Sequence, residues 1–189
     1  MLLDEQIVAI ERAFAAADIP HAFGGAQALG YYGSVRATHD IDVNVFLAVG
    51  EVERVFAVLG ALGAATDNPG LRRLAARDGQ VRVLWEGTPI DLFFAYDALH
   101  RSSLERRRRV DFYGDSIHIL SAEDLITYKA TFDREKDWND IAGMIYACEQ
   151  PLDYDYVRRW LARIDAPEGR RLARLERLIA SGGQDLAAS

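Results

Sequence analysis

The feature that most constrains the fold is an alternating segment, DIDVNVF, at residues 40–46. Side chains two residues apart in a β-strand lie on the same face of a sheet, so Asp40 and Asp42 share one face. The residues between and after them are apolar and are predicted to enter the core: Ile41, Val43 and Val45. Carboxylates beside a core are costly unless cations or hydrogen-bond donors compensate them. The segment therefore predicts a half-buried strand, Asp40–Leu47, that carries an acidic site.

The rest of the first 120 residues predicts a small mixed sheet flanked by helices, an α/β (α+β) arrangement. The Asp-Asn-Pro-Gly sequence at 67–70 predicts a turn. QVRVLWEG and TPIDLFFAY alternate and predict an antiparallel hairpin through Gly87–Thr88–Pro89. The other predicted elements are a helix over 3–18, a strand His21–Phe23, a short helix Ala26–Tyr32, a helix over 51–63, and a strand or hairpin over 109–120.

From Ser121 onward the pattern predicts helices alone. Ser121 and Asp124 form a capping box in front of the first of them, SAEDLITYKATF. Three more helices are predicted, over REKDWNDIAGMIYACE, 153–164 and 167–180. We therefore expect an α/β domain over residues 1–120 and a helical C-terminal region over 121–189 that packs on it.

Composition narrows the classes of protein. The chain has 189 residues, of which 50% are hydrophobic, and these suffice for a buried core. One cysteine, Cys148, excludes an intramolecular disulfide. The first residues lack a basic leader, and no apolar run approaches the ~20 residues of a membrane span. We expect a soluble, cytoplasmic protein without a membrane partner.

Charge argues against broad nucleic-acid binding, because the formal net charge is −7. The run Arg106–Arg109 is a local exception. It is either a solvated face that leads into the strand at Val110 or a clamp for the phosphates of a nucleotide or a nucleic-acid end.

A third carboxylate extends the acidic site if its strand lies beside the first. Asp91 stands in an apolar context, PIDLFF. Three carboxylates at one edge of a sheet suit Mg²⁺, which prefers oxygen ligands and shares them with substrate phosphates. Gly24 and Gly25, directly before a short helix, would let the backbone approach a phosphate.

These residues together resemble the nucleotidyltransferase superfamily related to DNA polymerase β. Its signature is an apolar residue with Gly-Gly or Gly-Ser, a spacer, Asp-apolar-Asp/Glu-apolar, and a downstream carboxylate. Here it stands as FGG, a spacer of fourteen residues, DIDV and PIDLF. The chain is most similar to small bacterial members, the abortive-infection type toxins and minimal nucleotidyltransferases. Those members share a Lys-Asp-x-x-Asp-apolar helix, here within KATFDREKDWNDI at 129–141.

The resemblance assigns roles to individual residues. It implies that Asp40, Asp42 and Asp91 hold Mg²⁺ or Mn²⁺, with Asp91 as metal ligand or general base for the acceptor hydroxyl. Gly25 stands where many relatives have Ser. The residues implied in nucleotide binding are Gly24, Gly25, Arg36, Thr38, Lys129 and Lys136, with Asp137 and Asp140 in support. The alternative for Lys136, Asp137 and Asp140 is an exposed, ion-paired helix face.

Two functions of different kinds remain open. One is an enzyme that moves a nucleoside monophosphate from an NTP to a hydroxyl of a protein side chain, a tRNA 3′ end or a small molecule. Enzymes of this kind include the toxins of toxin–antitoxin pairs, and such a toxin would have an antitoxin protein as its partner. The other is a non-catalytic relative that binds a nucleotide or a partner protein. Three retained carboxylates favour the enzyme.

Overall fold

The computed structural model describes residues 1–33, 35–164 and 169–184. Packing divides the chain into two compact units. The first comprises residues 1–27 and 37–120, and the second comprises residues 28–36 and the chain from 121 onward.

A six-stranded mixed sheet forms the centre of the first unit, as the alternating segments predict. Its order is β3-β4-β2-β1-β6-β5. The pairs β2–β4 and β1–β6 are parallel, and the other three pairs are antiparallel. The strands are β1 (His21–Phe23), β2 (Ile41–Ala48), β3 (Gln80–Trp85), β4 (Thr88–Ala95), β5 (Arg108–Phe112) and β6 (Asp115–Ile119).

Helices accompany this sheet in the sequence: α1 (Leu3–Ala16), α2 (Gly25–Leu29), α3 (Val52–Ala61), α4 (Pro69–Asp78) and α5 (Ala98–Arg106). The short helix α2 is three residues shorter at its end than the predicted Ala26–Tyr32. Among the described residues, no helix combines the length and the apolar character that a membrane crossing requires.

The two central parallel strands supply much of the core. Ile41, Val43 and Val45 of β2 are completely buried, which confirms the face predicted from alternation. Their β4 neighbours are equally buried: Ile90, Leu92 and Phe94. Each such side chain contributes about 1.5–3 kcal/mol of transfer free energy. This burial fixes the register of the strands, because a slip of one residue would bring the aspartates into the core.

The turn predicted at residues 67–70 is instead the start of α4. The Asn68 side chain accepts a hydrogen bond from the Gly70 N–H at 2.8 Å, and Pro69 occupies the first helical position. Gly79, with φ of 67°, ends the helix. Asparagine before proline is as good a helix start as a turn, because proline lacks only an N–H that a first helical turn leaves unpaired.

Helix α5 was also not predicted, and it contains the start of the arginine run. Asp97 caps it by accepting the His100 N–H at 3.1 Å. Arg106 is its last residue, and Arg108 opens β5. The Arg109 Nε donates to Ser116 Oγ on β6 at 2.7 Å. The run therefore spans a helix end and a strand start, and its role as a phosphate clamp stays a prediction.

The second unit is helical in its described part, as predicted. Its four helices are α6 (Ala122–Phe132), α7 (Glu135–Ala147), α8 (Tyr154–Ile164) and α9 (Arg170–Ala180). The predicted cap is confirmed, since Ser121 Oγ accepts the Asp124 N–H at 3.2 Å. The Asp124 carboxylate is completely buried and accepts the Tyr156 hydroxyl at 2.5 Å. The predicted start of the last helix, residues 167–168, lies outside the described residues.

A buried carboxylate joins α1 to β1 and β6 in the first unit. Glu11 is 7% exposed, and its Oε2 accepts from His21 Nε2 at 3.0 Å and from the His118 backbone N–H at 2.9 Å. Its Oε1 lies 2.7 Å from His118 Nδ1. Burial alone would raise the pKa of Glu11, but the bonds from His21 and His118 outweigh it and lower the pKa to about 2. His21 Nδ1 also lies 2.8 Å from the Ile19 carbonyl, so both ring nitrogens of His21 contact oxygen atoms.

We expect Glu11→Gln to lower the free energy of unfolding at neutral pH by about 3 kcal/mol, since each pKa unit is worth ~1.36 kcal/mol. The folded pKa lies below the ordinary value, so the stabilisation is present above about pH 4.5 and is lost as the pH falls towards 2. Urea unfolding at a series of pH values measures both effects. Glu53→Gln, a change at an exposed glutamate, is the control. If Glu11→Gln lost stability in acid as steeply as the parent protein, the assignment would be contradicted.

Candidate active site

The three predicted acids lie on one face of the sheet. Asp42 of β2 and Asp91 of β4 are directly paired across the parallel strands, so their side chains leave the same face side by side. Asp40 stands one residue before β2 and is also partly exposed. The sequence left open whether the strand of Asp91 lies beside that of Asp42, and this register confirms that it does.

The loop before β2 is held at Asp40 by side chains of the first unit. The Asp40 N–H donates to Thr38 Oγ1 at 3.2 Å, and the Asp40 carbonyl accepts from Gln27 Nε2 at 3.0 Å. Thr38 also donates to that carbonyl at 3.3 Å. Thr38 thus positions the backbone that presents Asp40, and its contact with a nucleotide remains a prediction.

The glycine pair packs directly against Asp42. The Gly24 N–H donates to the Asp42 carbonyl at 2.9 Å. Gly25 has φ of +49°, and a Cβ built there would overlap the Asp42 Oδ2. A serine at this position would displace the Asp42 carboxylate. The departure from the Gly-Ser of many relatives is therefore tied to the rotamer that Asp42 adopts here.

Gly25→Ala should destabilise the fold more than Gly87→Ala does. Both glycines have positive φ, which costs an L-residue roughly 1–2 kcal/mol. A Cβ at Gly87 meets no atom within 4 Å, whereas one at Gly25 collides with Asp42. Thermal melting of the two variants separates the backbone cost from the collision. Equal losses would show that Asp42 moves aside freely.

An unpredicted residue, Arg82, bridges two of the acids. It lies on β3 directly opposite Asp91. Its Nε is 2.7 Å from Asp91 Oδ1, and its Nη2 is 2.6 Å from Asp91 Oδ2 and 3.2 Å from Asp40 Oδ2. The hydrogen bonds to Asp91 and its charge raise the pKa of the guanidinium further above its ordinary value. The side chain is 54% exposed, so solvent screens these pairs.

The turn of the β3–β4 hairpin explains this pairing. The chain turns at Glu86 and Gly87, with φ of 50° and 84°, and not through Gly87–Pro89 as predicted. Two residues of positive φ are typical of a type I′ turn, which joins strands by a two-residue loop. That loop sets the register that places Arg82 opposite Asp91. The two-residue loop was the signal in the sequence that could have identified Arg82.

The carboxylates fit a divalent ion in chemistry, since Mg²⁺ takes oxygen ligands. Gly25 lets the backbone lie directly against Asp42, because a Cβ at this position would overlap the Asp42 carboxylate. Within residues 1–33, 35–164 and 169–184, however, no three His, Cys, Asp or Glu side chains are arranged to hold a metal ion. Arg82 occupies the oxygens of Asp91 and contacts Asp40. An ion shared by all three acids would have to take the place of the guanidinium.

The second unit brings together four of the other predicted residues. The Lys129 side chain is buried, with Nζ 2.6 Å from Asp140 Oδ2 and 3.9 Å from Asp137 Oδ1. Arg36 Nη2 lies 3.5 Å from Asp140 Oδ2. Asp137 is 2% exposed and also accepts from Arg134, so it does not belong to an exposed helix face. Lys136 is exposed. The roles of these residues towards a nucleotide remain predictions.

Solved nucleotidyltransferase structures are similar to this fold. The antibiotic-resistance factor ANT(2'')-Ia matches with a TM-score of 0.54 and 14% identity, over 94% of this chain and 89% of that one. The same protein in complex with adenylyl-2''-tobramycin matches with a TM-score of 0.53, 14% identity and 95% of each chain. The protein has a nucleotidyltransferase fold.

A third structure with the nucleotidyltransferase fold is the lincomycin-bound lincosamide antibiotic adenylyltransferase LnuA. Its TM-score is 0.51, at 13% identity, over 76% of this chain and 96% of that one. No protein-family model matches the sequence, and no curated protein matches it. The nucleotidyltransferase fold that the glycine pair and the acids predicted is thus confirmed.

Proposed function

We propose that this protein is a metal-dependent nucleotidyltransferase that moves a nucleoside monophosphate from an NTP to a hydroxyl group and releases pyrophosphate. The observation that carries the proposal is the pairing of Asp42 with Asp91 on neighbouring parallel strands, with Asp40 beside them. A nucleotidyltransferase fold with three acids on one face provides the donor set for Mg²⁺ or Mn²⁺.

The proposed donor is ATP and the proposed acceptor is a small hydroxyl-bearing molecule. The two proteins of similar fold support this choice, one bound to adenylyl-2''-tobramycin and the other a lincomycin-bound adenylyltransferase. A protein side chain or a tRNA 3′ end as acceptor, with a toxin role and an antitoxin partner, would be the other outcomes of the same assay.

The chemistry is a single in-line displacement. The acceptor oxygen forms a bond to the α-phosphorus while the bond from that phosphorus to the bridging oxygen of pyrophosphate breaks. The proton of the acceptor hydroxyl passes to the Asp91 carboxylate. Asp40, Asp42 and Asp91 would hold the divalent ion, which when bound neutralises phosphate charge. The Gly25 backbone lies directly against the Asp42 carboxylate, so a phosphate on an ion held by Asp42 would lie near this stretch of backbone.

The test is transfer of radioactive phosphate. The protein is incubated with each α-labelled NTP and Mg²⁺, separately with aminoglycosides, lincosamides, total tRNA and a cell lysate. Label on a small molecule, from ATP above the other nucleotides, is the expected result. Label from the γ-phosphate would make the protein a kinase and contradict the proposal.

A non-catalytic role is the second candidate, and Arg82 is the observation that favours it. A guanidinium that neutralises Asp91 and Asp40 is also what a nucleotide-binding protein without catalysis would retain. Nucleotide binding without label transfer to any acceptor would support this candidate.

A further inference from the structure

We propose that Arg82 is an exchangeable counter-ion, which holds Asp91 and Asp40 in the metal-free protein and competes with the divalent ion for their oxygens. The inference rests on the proposed function, because it concerns the same acids. It assigns Arg82 a positioning role: it keeps the carboxylates in place and gives them up when the ion arrives.

The contacts of Arg82 are directed at the acids. All three of its hydrogen bonds between described residues go to Asp91 and Asp40, at 2.6–3.2 Å. The pair with Asp91 is bidentate, which aligns both carboxylate oxygens in the plane of the guanidinium. Those oxygens are the ones that an ion shared with Asp42 would use.

Position on the sheet gives Arg82 this contact and also lets it leave. Arg82 lies on β3, the edge strand beside β4. The residues along β3 are alternately exposed and buried, and Arg82 is one of the exposed ones. Val81 and Val83 enter the core and anchor the backbone, while the Arg82 side chain remains 54% exposed. The guanidinium can therefore swing into solvent without opening the core.

For electrostatic reasons, either the Arg82 guanidinium or the divalent ion contacts the acids, but not both. Three neighbouring carboxylates repel one another, and one positive charge among them lowers that repulsion. A divalent ion supplies twice the charge and repels the guanidinium at close range. The arrangement with Arg82 in contact is favoured without metal, and the arrangement with Arg82 released is favoured with it.

The inference predicts two effects of Arg82→Gln in opposite directions. Without a competing cation, Mn²⁺ should bind roughly tenfold more tightly, which corresponds to ~1.4 kcal/mol. In EDTA the same variant should melt at a lower temperature, because the acids lose their counter-ion. A merely structural arginine would lower the melting temperature and leave Mn²⁺ affinity unchanged or weaker.

The experiment is a Mn²⁺ titration without nucleotide, followed by the loss of the electron paramagnetic resonance signal of free Mn²⁺, with melting in EDTA alongside. Arg72→Gln is the matched control, because Arg72 makes a comparable two-point pair with Glu53 outside the acid cluster. Arg82→Lys keeps the charge and should fall between the parent and Arg82→Gln.

The outcomes are distinct. Equal or weaker Mn²⁺ binding by folded Arg82→Gln or Arg82→Lys would overturn the role of Arg82 and leave the proposed function standing. Absence of Mn²⁺ binding in the parent and all variants would overturn this inference and the metal requirement together. Label transfer measured on the parent then decides separately whether the protein is a nucleotidyltransferase.

Discussion

Asp42→Asn is expected to reduce nucleotidyl transfer by roughly a thousandfold or more, about 4 kcal/mol in the barrier. Asp42 lies between Asp91, its partner on β4, and the backbone at Gly25, so it is in the middle of the acidic site. Asparagine has the same shape but lacks the negative charge that a divalent ion requires. Initial rates of label transfer from α-labelled ATP measure the effect.

The matched control is Asp78→Asn, an equal change at an exposed aspartate of the same unit that pairs with Arg77. It should transfer at the parental rate. The melting temperature of Asp42→Asn in EDTA should stay near that of the parent, because removing one of several repelling carboxylates costs little. Transfer at the parental rate by Asp42→Asn would place the active site elsewhere.

The parts of the fold that the sequence predicts are those with strong local signals. Strand β2 alternates and buries Ile41, Val43 and Val45 completely, so its period and its faces are visible in the sequence. Helix α6 begins at the predicted cap residue Ser121, whose Oγ accepts the Asp124 N–H as predicted. In both cases the neighbouring residues alone determine the element.

Helices α4 and α5 escaped prediction for a physical reason. Ala75 is the one residue of α4 that is fully buried, so the helix carries almost no apolar stripe. Helix α5 buries Leu99, His100 and Ser103, of which one is strongly apolar. Their caps, Asn68 and Asp97, are as common in turns as at helix starts.

The candidate site also contains residues that the sequence predicts and residues that it does not. Asp40 and Asp42 are visible in one alternating segment, and Gly24–Gly25 precedes them at a recognisable spacing. Arg82 was missed, because its contact with Asp91 depends on the register of a hairpin whose turn was predicted at the wrong residues. The burial of Lys129 was hidden as well, since lysine is usually exposed and its partners lie 8 and 11 residues further along the chain.

Asp91→Asn is the second change with a large expected effect, and it separates catalysis from binding. A general base contributes roughly a hundredfold to ten-thousandfold to a rate, so transfer should slow by that amount. Binding of Mg²⁺ with a non-hydrolysable NTP should weaken much less, since Asp40 and Asp42 remain. Single-turnover rates and equilibrium binding, measured on the same preparation, give the two quantities independently.

The structure sharpens the outcome for Asp91. Arg82 donates a hydrogen bond to each carboxylate oxygen of Asp91, so both oxygens contact a cation in the metal-free protein. Asp91 can accept the proton of the acceptor hydroxyl once Arg82 no longer contacts it. The ability of Asp91 to act as a base therefore depends on binding of the divalent ion. If Asp91→Asn loses binding and rate to the same extent, Asp91 serves as a metal ligand alone. An unchanged rate would assign the base to another residue. If label accumulated on the protein as a kinetically competent intermediate, the mechanism would be covalent and not a direct attack.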